Sequence, residues 1–458
     1  MRMIVVGHIE RISADVVELR LRRLQVKRRY QRDLGRSPRC ATSAIVYDVA
    51  VRLQSKAAII GLAILGGSWT EVRATAPPDW VRTSAPLQLW SGVACSADGS
   101  RIVASSRFAS MFTPGAIYIS TNSGRNWQLT SAPIQYWNGV ASSANGTRLI
   151  AFGAASDVAN SPIGIYISAN SGATWTLSSA PMTNWSVITS SADGTRLAAA
   201  IWGYGGIYYS TNGGATWVAG NAPFARYYQA LCASADGQKL VASGGDLNNP
   251  NSRQVYLSSD SGATWTAANG PTNVISLACS ANGNRVLGGA GYVGVYVSAD
   301  SGQHWELSAA PDQEWLAIAS SSDGLKATVV AGGMSSGPIF ASMDSGKSWQ
   351  QSGVLTGYFN SVACSSDGGK WIASEGGSTA GYIYALQLPP ALDIGFSNNA
   401  VLVSWPASAS GFVLQQNTDP GPTGPWFSVT NSAEIANGRF QVSLPCAPGR
   451  KFFRLRAQ

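Results

Sequence analysis

The stretch STNSGRNW (120–127) decides the fold, because close copies of it return five more times along the chain. The other copies are SANSGATW (168–175), STNGGATW (210–217), SSDSGATW (258–265), SADSGQHW (298–305) and SMDSGKSW (342–349). Each copy has Asn or Asp at its third position, Gly at its fifth and Trp at its end. Gly permits a left-handed backbone, and an Asn or Asp side chain can accept hydrogen bonds from its own turn, so each copy predicts a tight turn.

A second repeated segment reads WSGVACSADGSRIVAS (90–105) in its first copy and carries an Asp-Gly or Asn-Gly turn. That turn recurs at Asp98, Asn145, Asp193, Asp236, Asn282, Asp323 and Asp367. Short strands separated by Gly turns at this period are typical of four-stranded propeller blades. We therefore predict an all-β chain whose residues 77–390 form a seven-bladed β-propeller.

The last blade lacks both the repeated box and a fourth strand, since its repeat ends at GYIYALQL (381–388). The missing piece is found at the other end, where WVRTSAPLQLW (80–90) aligns with WQLTSAPIQYW (127–137). Residues 80–84 are therefore predicted to supply the fourth strand of the last blade. Pairing the first and last segments closes the ring and removes two exposed edges.

The pattern S-x-D/N-x-G-x-x-W resembles the Asp-box, or BNR repeat, of sialidases, sortilin-like receptors, xyloglucan-degrading glycosidases and propellers like the photosystem assembly factors. The resemblance spans about 310 residues, 80–388, and implies the propeller fold. We expect the third box position to be structural, and it is occupied by Asn122, Asn170, Asn212, Asp260, Asp300 and Asp344. Because Asn replaces Asp in three boxes, a side-chain acceptor suffices and no carboxylate charge is required.

Catalytic residues are not evident. Sialidases also carry an arginine triad, an (F/Y)RIP segment, a Tyr–Glu pair and an acidic Asp, and no (F/Y)RIP occurs here. Glycosidases need two carboxylates roughly 5–10 Å apart. The candidates outside the turns are Asp157, Asp246, Asp312, Glu314 and Glu375, and no pair among them is favoured. We expect a non-catalytic scaffold that binds a protein or carbohydrate; the alternatives are an exo-acting glycoside hydrolase and an assembly factor.

The ligand is expected on the face that carries the loops between the second and third strands, because these loops vary most between blades. An aromatic side chain recurs where the first strand begins in six of the seven blades, at Trp90, Trp137, Trp185, Tyr228, Trp315 and Phe359, and the remaining blade has Val274 there. These residues are predicted to stack on sugar rings or clamp a peptide; the alternative is that they pack between blades. Trp202, Tyr204, Arg226 and Tyr292 are further candidates at this rim.

The charge distribution argues against nucleic acid as a partner. The net charge is +8, but residues 1–56 carry 13 Lys or Arg against 5 Asp or Glu, and the rest of the chain carries 19 of each. With only two His and no CxxC spacing, we expect no metal and no cofactor. Cys95, Cys279 and Cys364 share one repeat position that Ser fills in other blades, which favours small buried residues over disulfides. We expect a monomer.

The segment 51–76 has the layout of a secretory signal peptide, with a basic start, a short apolar core (57–65) and an Ala-x-Ala ending at Ala76. The core is too short to span a membrane, so the mature chain is expected to be secreted, periplasmic or on the cell surface, without a membrane span. Residues 1–50 are a basic extension, or reflect a start codon called too early. The alternative is a cytoplasmic protein with a basic arm.

The repeat stops before residues 391–458, where short alternating strands predict a small β-sandwich. The segments VSWPAS (403–408), GFVLQQ (411–416) and FFRL (452–455) resemble a fibronectin-type-III-like module. The resemblance implies a spacer or an attachment unit.

Overall fold

The computed structural model describes residues 59–65, 68–74, 80–110, 113–153, 164–223, 225–246, 249–332, 336–376, 380–387, 392–397, 400–406, 412–418, 426–437, 439–445 and 451–457. Every regular element within these ranges is a strand, and they contain no helix that could cross a membrane. The first two strands, β1 (Ile59–Leu65) and β2 (Ser68–Ala74), form an antiparallel hairpin. This hairpin lies in the segment predicted to be a signal peptide, and the basic extension 1–50 lies outside the described residues.

The described part of the chain repeats one four-stranded antiparallel layout seven times, and each repeat is one blade; pairing between blades 3 and 4 joins these two into a single eight-stranded sheet. Strand β3 (Val81–Arg82) precedes blade 1, which contains β4 (Leu89–Cys95), β5 (Ile102–Ser110), the additional short β6 (Thr113–Pro114), β7 (Ile117–Ser120) and β8 (Gln128–Leu129). Blade 2 contains β9 (Trp137–Ser142), β10 (Leu149–Gly153), β11 (Ile165–Ser168) and β12 (Thr176–Leu177). Blade 3 contains β13 (Trp185–Ser190), β14 (Leu197–Gly205), β15 (Ile207–Ser210) and β16 (Val218–Ala219).

The remaining blades repeat this layout. Blade 4 contains β17 (Ala225–Ala233), β18 (Leu240–Asp246), β19 (Asn249–Ser258) and β20 (Thr266–Ala267), and blade 5 contains β21 (Val274–Cys279), β22 (Val286–Ala290), β23 (Gly294–Ser298) and β24 (Glu306–Leu307). Blade 6 contains β25 (Trp315–Ser320), β26 (Ala327–Ala331), β27 (Gly337–Ser342) and β28 (Gln350–Gly357). Blade 7 contains β29 (Phe359–Cys364), β30 (Lys370–Glu375) and β31 (Ile383–Gln387), and β3 is its fourth strand.

The closure predicted from the sequence is confirmed. Val81 pairs with Ala385 and Arg82 with Tyr384, which places the N-terminal strand on the outer edge of the last blade. Trp80 occupies the place of the missing box tryptophan: it is buried, and its Nε1–H donates to Ser352 Oγ at 3.1 Å.

The blades surround a common axis, and their first strands are innermost. Contacts between first strands run from β4 through β9, β13, β17, β21, β25 and β29 and return to β4. A parallel circuit of main-chain hydrogen bonds joins the residue before each Asp-Gly or Asn-Gly turn to its equivalent in the next blade. The donors and acceptors, at 2.6–2.8 Å, are Ala97 to Ala144, Ala144 to Ala192, Ala192 to Ala235, Ala235 to Ala281, Ala281 to Ser322, Ser322 to Ser366 and Ser366 back to Ala97. The chain is therefore a closed all-β propeller, as predicted.

The hydrophobic core lies between neighbouring blades. Val103 and Ile117 of blade 1, for example, form one buried cluster with Trp137 and Leu149 of blade 2. An aromatic side chain buries at least about 150 Å², worth about 4 kcal/mol at 25 cal/mol per Å². Each blade therefore depends on the next for its core, which explains why the ring must close.

One cysteine prediction is wrong. Cys232 of β17 and Cys279 of β21 form a disulfide between blades 4 and 5, with their Cα atoms 5.8 Å apart. Cys232 lies one residue earlier in its strand than the repeat position of Cys279, so the spacing of equivalent residues did not indicate the pair. Cys95 and Cys364 are free; burial raises the pKa of Cys95 to about 12 and that of Cys364 well above its ordinary value. Neither is in a disulfide, as predicted, although both are half-buried rather than fully buried.

After the propeller the chain forms two further sheets. Their strands are β32 (Asp393–Ser397), β33 (Ala400–Pro406), β34 (Phe412–Asn417), β35 (Phe427–Ser428), β36 (Glu434–Ala436), β37 (Arg439–Pro445) and β38 (Phe452–Ala457). One sheet has the order β32-β33-β37-β36 and the other β35-β34-β38. Val403 and Trp405 of the first sheet share a buried cluster with Leu414 and Phe453 of the second, so the two sheets pack face to face.

Candidate ligand-binding face

The propeller has two chemically different faces. On one face, here called the turn face, each box bonds to the Asp-Gly or Asn-Gly turn of its own blade; Ser123 N–H, for instance, donates to Ser100 O at 2.8 Å. On the opposite face, the loop face, the described ends of the loops after the second strand meet the crossovers between blades, as in the bridges between Gly115 and Gln135 and between Gly291 and Glu314. The turns therefore lie on one face and the described loop ends on the other, as predicted.

The boxes satisfy their own polar groups. Ser120 Oγ accepts from Gly124 N–H at 2.9 Å, and Asn122 Oδ1 accepts from Asn126 N–H at 2.8 Å. The other five boxes repeat both bonds, including the positions with Asp. Since these side chains are engaged within the turn, the box builds the blade and presents no group to a ligand.

The Arg or Lys after each Asp-Gly or Asn-Gly turn connects neighbouring blades. Lys239 Nζ of blade 4 donates to Ser301 Oγ of blade 5 at 3.2 Å, and Lys370 Nζ of blade 7 donates to Ser123 Oγ of blade 1 at 3.1 Å. Lys326 Nζ reaches Asp367 O of the next blade at 2.8 Å. These cations are spread around the turn face as inter-blade contacts and do not converge on one anion.

The six aromatic residues predicted to face a ligand are buried, and that prediction is wrong. Trp90, Trp137, Trp185, Tyr228, Trp315 and Phe359 are at most 1% exposed. Each makes an edge-to-face contact, with centroids 5.5–6.0 Å apart, with an aromatic of its own blade's third strand: Tyr118, Tyr166, Tyr208, Tyr256, Phe340 and Tyr384 respectively. The alternative interpretation, in which these six aromatic residues pack between blades, agrees with their burial.

The residue that follows the first fully buried side chain of each inner strand is skipped in the pairing with the second strand, so it is the extra residue of a β-bulge. These half-buried residues are Ser91, Asn138, Ser186, Gln229, Ile275, Leu316 and Asn360. Strict alternation along the strand does not identify them from the sequence, because the bulge interrupts it.

A cavity of about 280 Å³ opens at the loop-face end of the axis, between blades 7, 1 and 2. Its polar lining consists of Ser91, Arg107, Asn138 and Asn360, and Phe108 is half-buried beside them. Arg107 is exposed and has no carboxylate partner among the described residues. The side chain of Asn360 is already engaged within the protein, since its Nδ2–H donates to Trp90 O at 2.5 Å and its Oδ1 accepts from Ser374. None of the described residues that line this cavity is a carboxylate.

The candidate acids do not gather at the cavity. Glu314 Oε2 accepts from Tyr292 Oη at 3.0 Å, and Glu375 Oε2 accepts from Tyr382 N–H at 3.1 Å. Asp246 is half-buried at the end of β18, Asp312 is exposed in the crossover before blade 6, and Asp157 lies outside the described residues. The described part of the chain also contains no group of three or more His, Cys, Asp or Glu that could hold a metal ion.

Two aromatic residues on the loop face are exposed. Trp202, at the end of β14, is 47% exposed, and Tyr292, between β22 and β23, is 73% exposed. Both were rim candidates from the sequence. The side chains of the other two candidates, Tyr204 and Arg226, lie outside the described part of the structure.

Comparison with protein families matches residues 208–219 to the BNR/Asp-box repeat. Comparison with curated proteins gives no match. Among solved structures, the chain is similar to YCF48 from Cyanidioschyzon merolae, with a TM-score of 0.49 and 13% identity over 68% of this chain and 98% of that one. It is also similar to a structure described as YCF48 bound to D1 peptide, with a TM-score of 0.49 and 13% identity over 69% of this chain and 98% of that one.

Proposed function

We propose that this protein is a non-catalytic scaffold that binds a protein or glycan ligand through the loop face of its propeller. The observation that carries the proposal is the cavity at the loop-face end of the axis. Its described lining offers the guanidinium of Arg107, which has no carboxylate partner among the described residues, and hydrogen-bonding groups from Ser91 and Asn138, and none of these described lining residues is a carboxylate. A glycoside hydrolase needs two carboxylates at its scissile bond, so this lining favours binding over hydrolysis.

The turn face supports the same proposal by elimination. Its repeated polar side chains bond to their own turns or to the next blade, whereas Arg107 has no ion-pair partner among the described residues. An exposed cation beside an aromatic ring is a common binding contact, and Arg107 lies 5.7 Å from the centroid of the Phe108 ring.

The test is a binding screen of the full chain against peptide and glycan arrays, run beside a panel of glycosidase substrates. Arg107→Ala is expected to weaken binding of a recovered ligand about tenfold, which corresponds to about 1.4 kcal/mol. Arg125→Ala is the matched control, because Arg125 is an exposed arginine of the turn face. Equal losses in both variants would contradict the proposal, and turnover abolished by changing one loop carboxylate would replace it with the hydrolase.

Export from the cytoplasm is part of the proposal. The disulfide between Cys232 and Cys279 supports it, since structural disulfides persist mainly in oxidising compartments. The two-sheet unit after the propeller is proposed to be a fibronectin-type-III-like spacer or attachment module. N-terminal sequencing of protein recovered from the periplasm or medium should find a start near residue 77, and an uncleaved cytoplasmic chain would refute export.

A further inference from the structure

We propose that the exposed tryptophan Trp202 and its partner Tyr227 form a carbohydrate-binding platform on the loop face at the junction of blades 3 and 4. This inference rests on the proposed function of the loop face. It names the ligand class and a contact surface on other blades than those that line the cavity.

The platform is built by an unusual pairing between two blades. The end of β14 in blade 3 pairs with the start of β17 in blade 4, with Trp202 opposite Tyr227 and Gly205 opposite Ala225. Trp202 N–H also donates to Asn184 O, in the crossover before blade 3, at 2.6 Å. The backbone of Trp202 is therefore held from two sides while its side chain stays 47% exposed.

The two rings are fixed against each other and open to solvent. The Trp202 and Tyr227 rings meet edge to face, with their centroids 4.1 Å apart. Gly203, the next residue, has φ +91°, and a Cβ placed there would meet no atom within 4 Å. No described atom therefore crowds the backbone that follows the indole. A rigid aromatic ring loses little conformational entropy when a ligand covers it, which makes it an efficient contact.

The groups behind the rings are polar and include both donors and acceptors. The Gln229 side chain lies close to the Tyr227 hydroxyl, and Gln229 Oε1 is enclosed and has no donor among the described residues. Burial raises the pKa of Tyr227, so its hydroxyl stays protonated and can both donate and accept. The guanidinium of Arg253 is buried nearby, bonded to Asn273 Oδ1 and without a carboxylate partner in the described structure.

This combination fits a sugar better than an aliphatic or purely ionic ligand. The negative face of an aromatic ring attracts the weakly positive C–H face of a pyranose, and the rim of a pyranose carries hydroxyls that donate and accept. Ligand pockets commonly combine an apolar ring surface with a few orienting polar groups.

The test is calorimetric titration of the full chain with cello-, xylo-, manno- and galacturono-oligosaccharides. Trp202→Ala is expected to weaken binding of a recovered oligosaccharide at least about tenfold, while Trp202→Phe, which keeps a ring, stays within about threefold. Tyr292→Ala is the matched control, because Tyr292 is an exposed aromatic of the same face in blade 5.

Three results would overturn the inference, and they separate it from the proposed function. Oligosaccharide binding that Trp202→Ala leaves intact would refute the platform but keep a glycan-binding loop face. Peptide binding that depends on Arg107, with no oligosaccharide bound, would refute the carbohydrate assignment and keep the scaffold. The absence of any ligand for the loop face would refute both.

Discussion

Replacing Trp80 with Ala should destabilise the whole propeller, although Trp80 belongs to a strand of only two paired residues. The side chain is 9% exposed and packs in a cluster with Val330 and Ile339 of blade 6 and Phe359 of blade 7. Truncating a buried tryptophan costs about 3–5 kcal/mol. The hydrogen bond from its Nε1–H to Ser352 Oγ adds about 1 kcal/mol. The expected loss is therefore about 4–6 kcal/mol.

The assay is thermal unfolding followed by circular dichroism. A loss of 1 kcal/mol lowers the melting temperature of a domain of 150–250 residues by about 2–4 °C. The propeller is larger, so the lower value applies and Trp80→Ala should melt about 8–12 °C below the parent. Ser352→Ala should lose only about 2 °C, and Trp202→Ala, an exposed tryptophan, should stay close to the parent. If Trp80→Ala melted within 2 °C of the parent, closure by the N-terminal strand would not stabilise the ring.

Three further outcomes are expected. Replacing Cys232 and Cys279 together with Ser should lower stability by up to about 4 kcal/mol in urea unfolding, because the bond spans 47 residues; an unchanged midpoint would exclude the disulfide. Asp344→Asn should unfold within about 0.5 kcal/mol of the parent, whereas Asp344→Ala should lose about 1–2 kcal/mol, because only Asn keeps the acceptor for Ser348 N–H; equal losses would contradict the structural role of the box. The hydroxyl of Ser191 and the N–H of Thr195 lower the pKa of Asp193 from 3.8 to about 2. A carboxyl whose pKa is lowered by folding stabilises the folded state above its unfolded pKa, so the contribution of Asp193 should vanish as the pH falls from about 4 to about 2. The Asp193→Asn variant should therefore lose less stability than the parent over this pH range.

The fold could be predicted because its signals are local and repeated. Each Asp-Gly turn and each box specifies its own conformation through a positive φ at Gly and a short side-chain acceptor. Because these local signals recur at a regular spacing, they also predict the repeated blades of the propeller. Closure was also predictable, since a blade without a fourth strand must find one elsewhere. The pairing of Val81 with Ala385 confirms this prediction for two residues that lie far apart in the sequence.

The candidate site was harder to predict because position in a repeat does not reveal which neighbour fills the space around a side chain. Trp137 is an aromatic residue of the kind that often contacts ligands, yet its ring packs against Tyr166. A similar aromatic pair recurs in almost every blade. This recurrence in the sequence was the available sign that the ring packs inside the propeller. Trp202 was among the rim candidates, but its pairing with Tyr227 depends on a contact between blades 3 and 4 alone. A contact that occurs once has no repeat to reveal it.

The distribution of satisfied polar groups explains why function is expected on the loop face. On the turn face the same bonds recur from blade to blade, so a change in any blade would break a contact that the ring needs. On the loop face this regularity fails: Trp90 Nε1–H donates to Gly381 O at 3.1 Å, whereas the equivalent atoms of Trp137, Trp185 and Trp315 have no partner among the described residues. The four blades that contain these tryptophans share the same edge-to-face packing of the indole on the third strand, so this packing does not depend on the hydrogen bond. The loop face can therefore acquire single-blade features, such as Arg107 and Trp202, without loss of the ring.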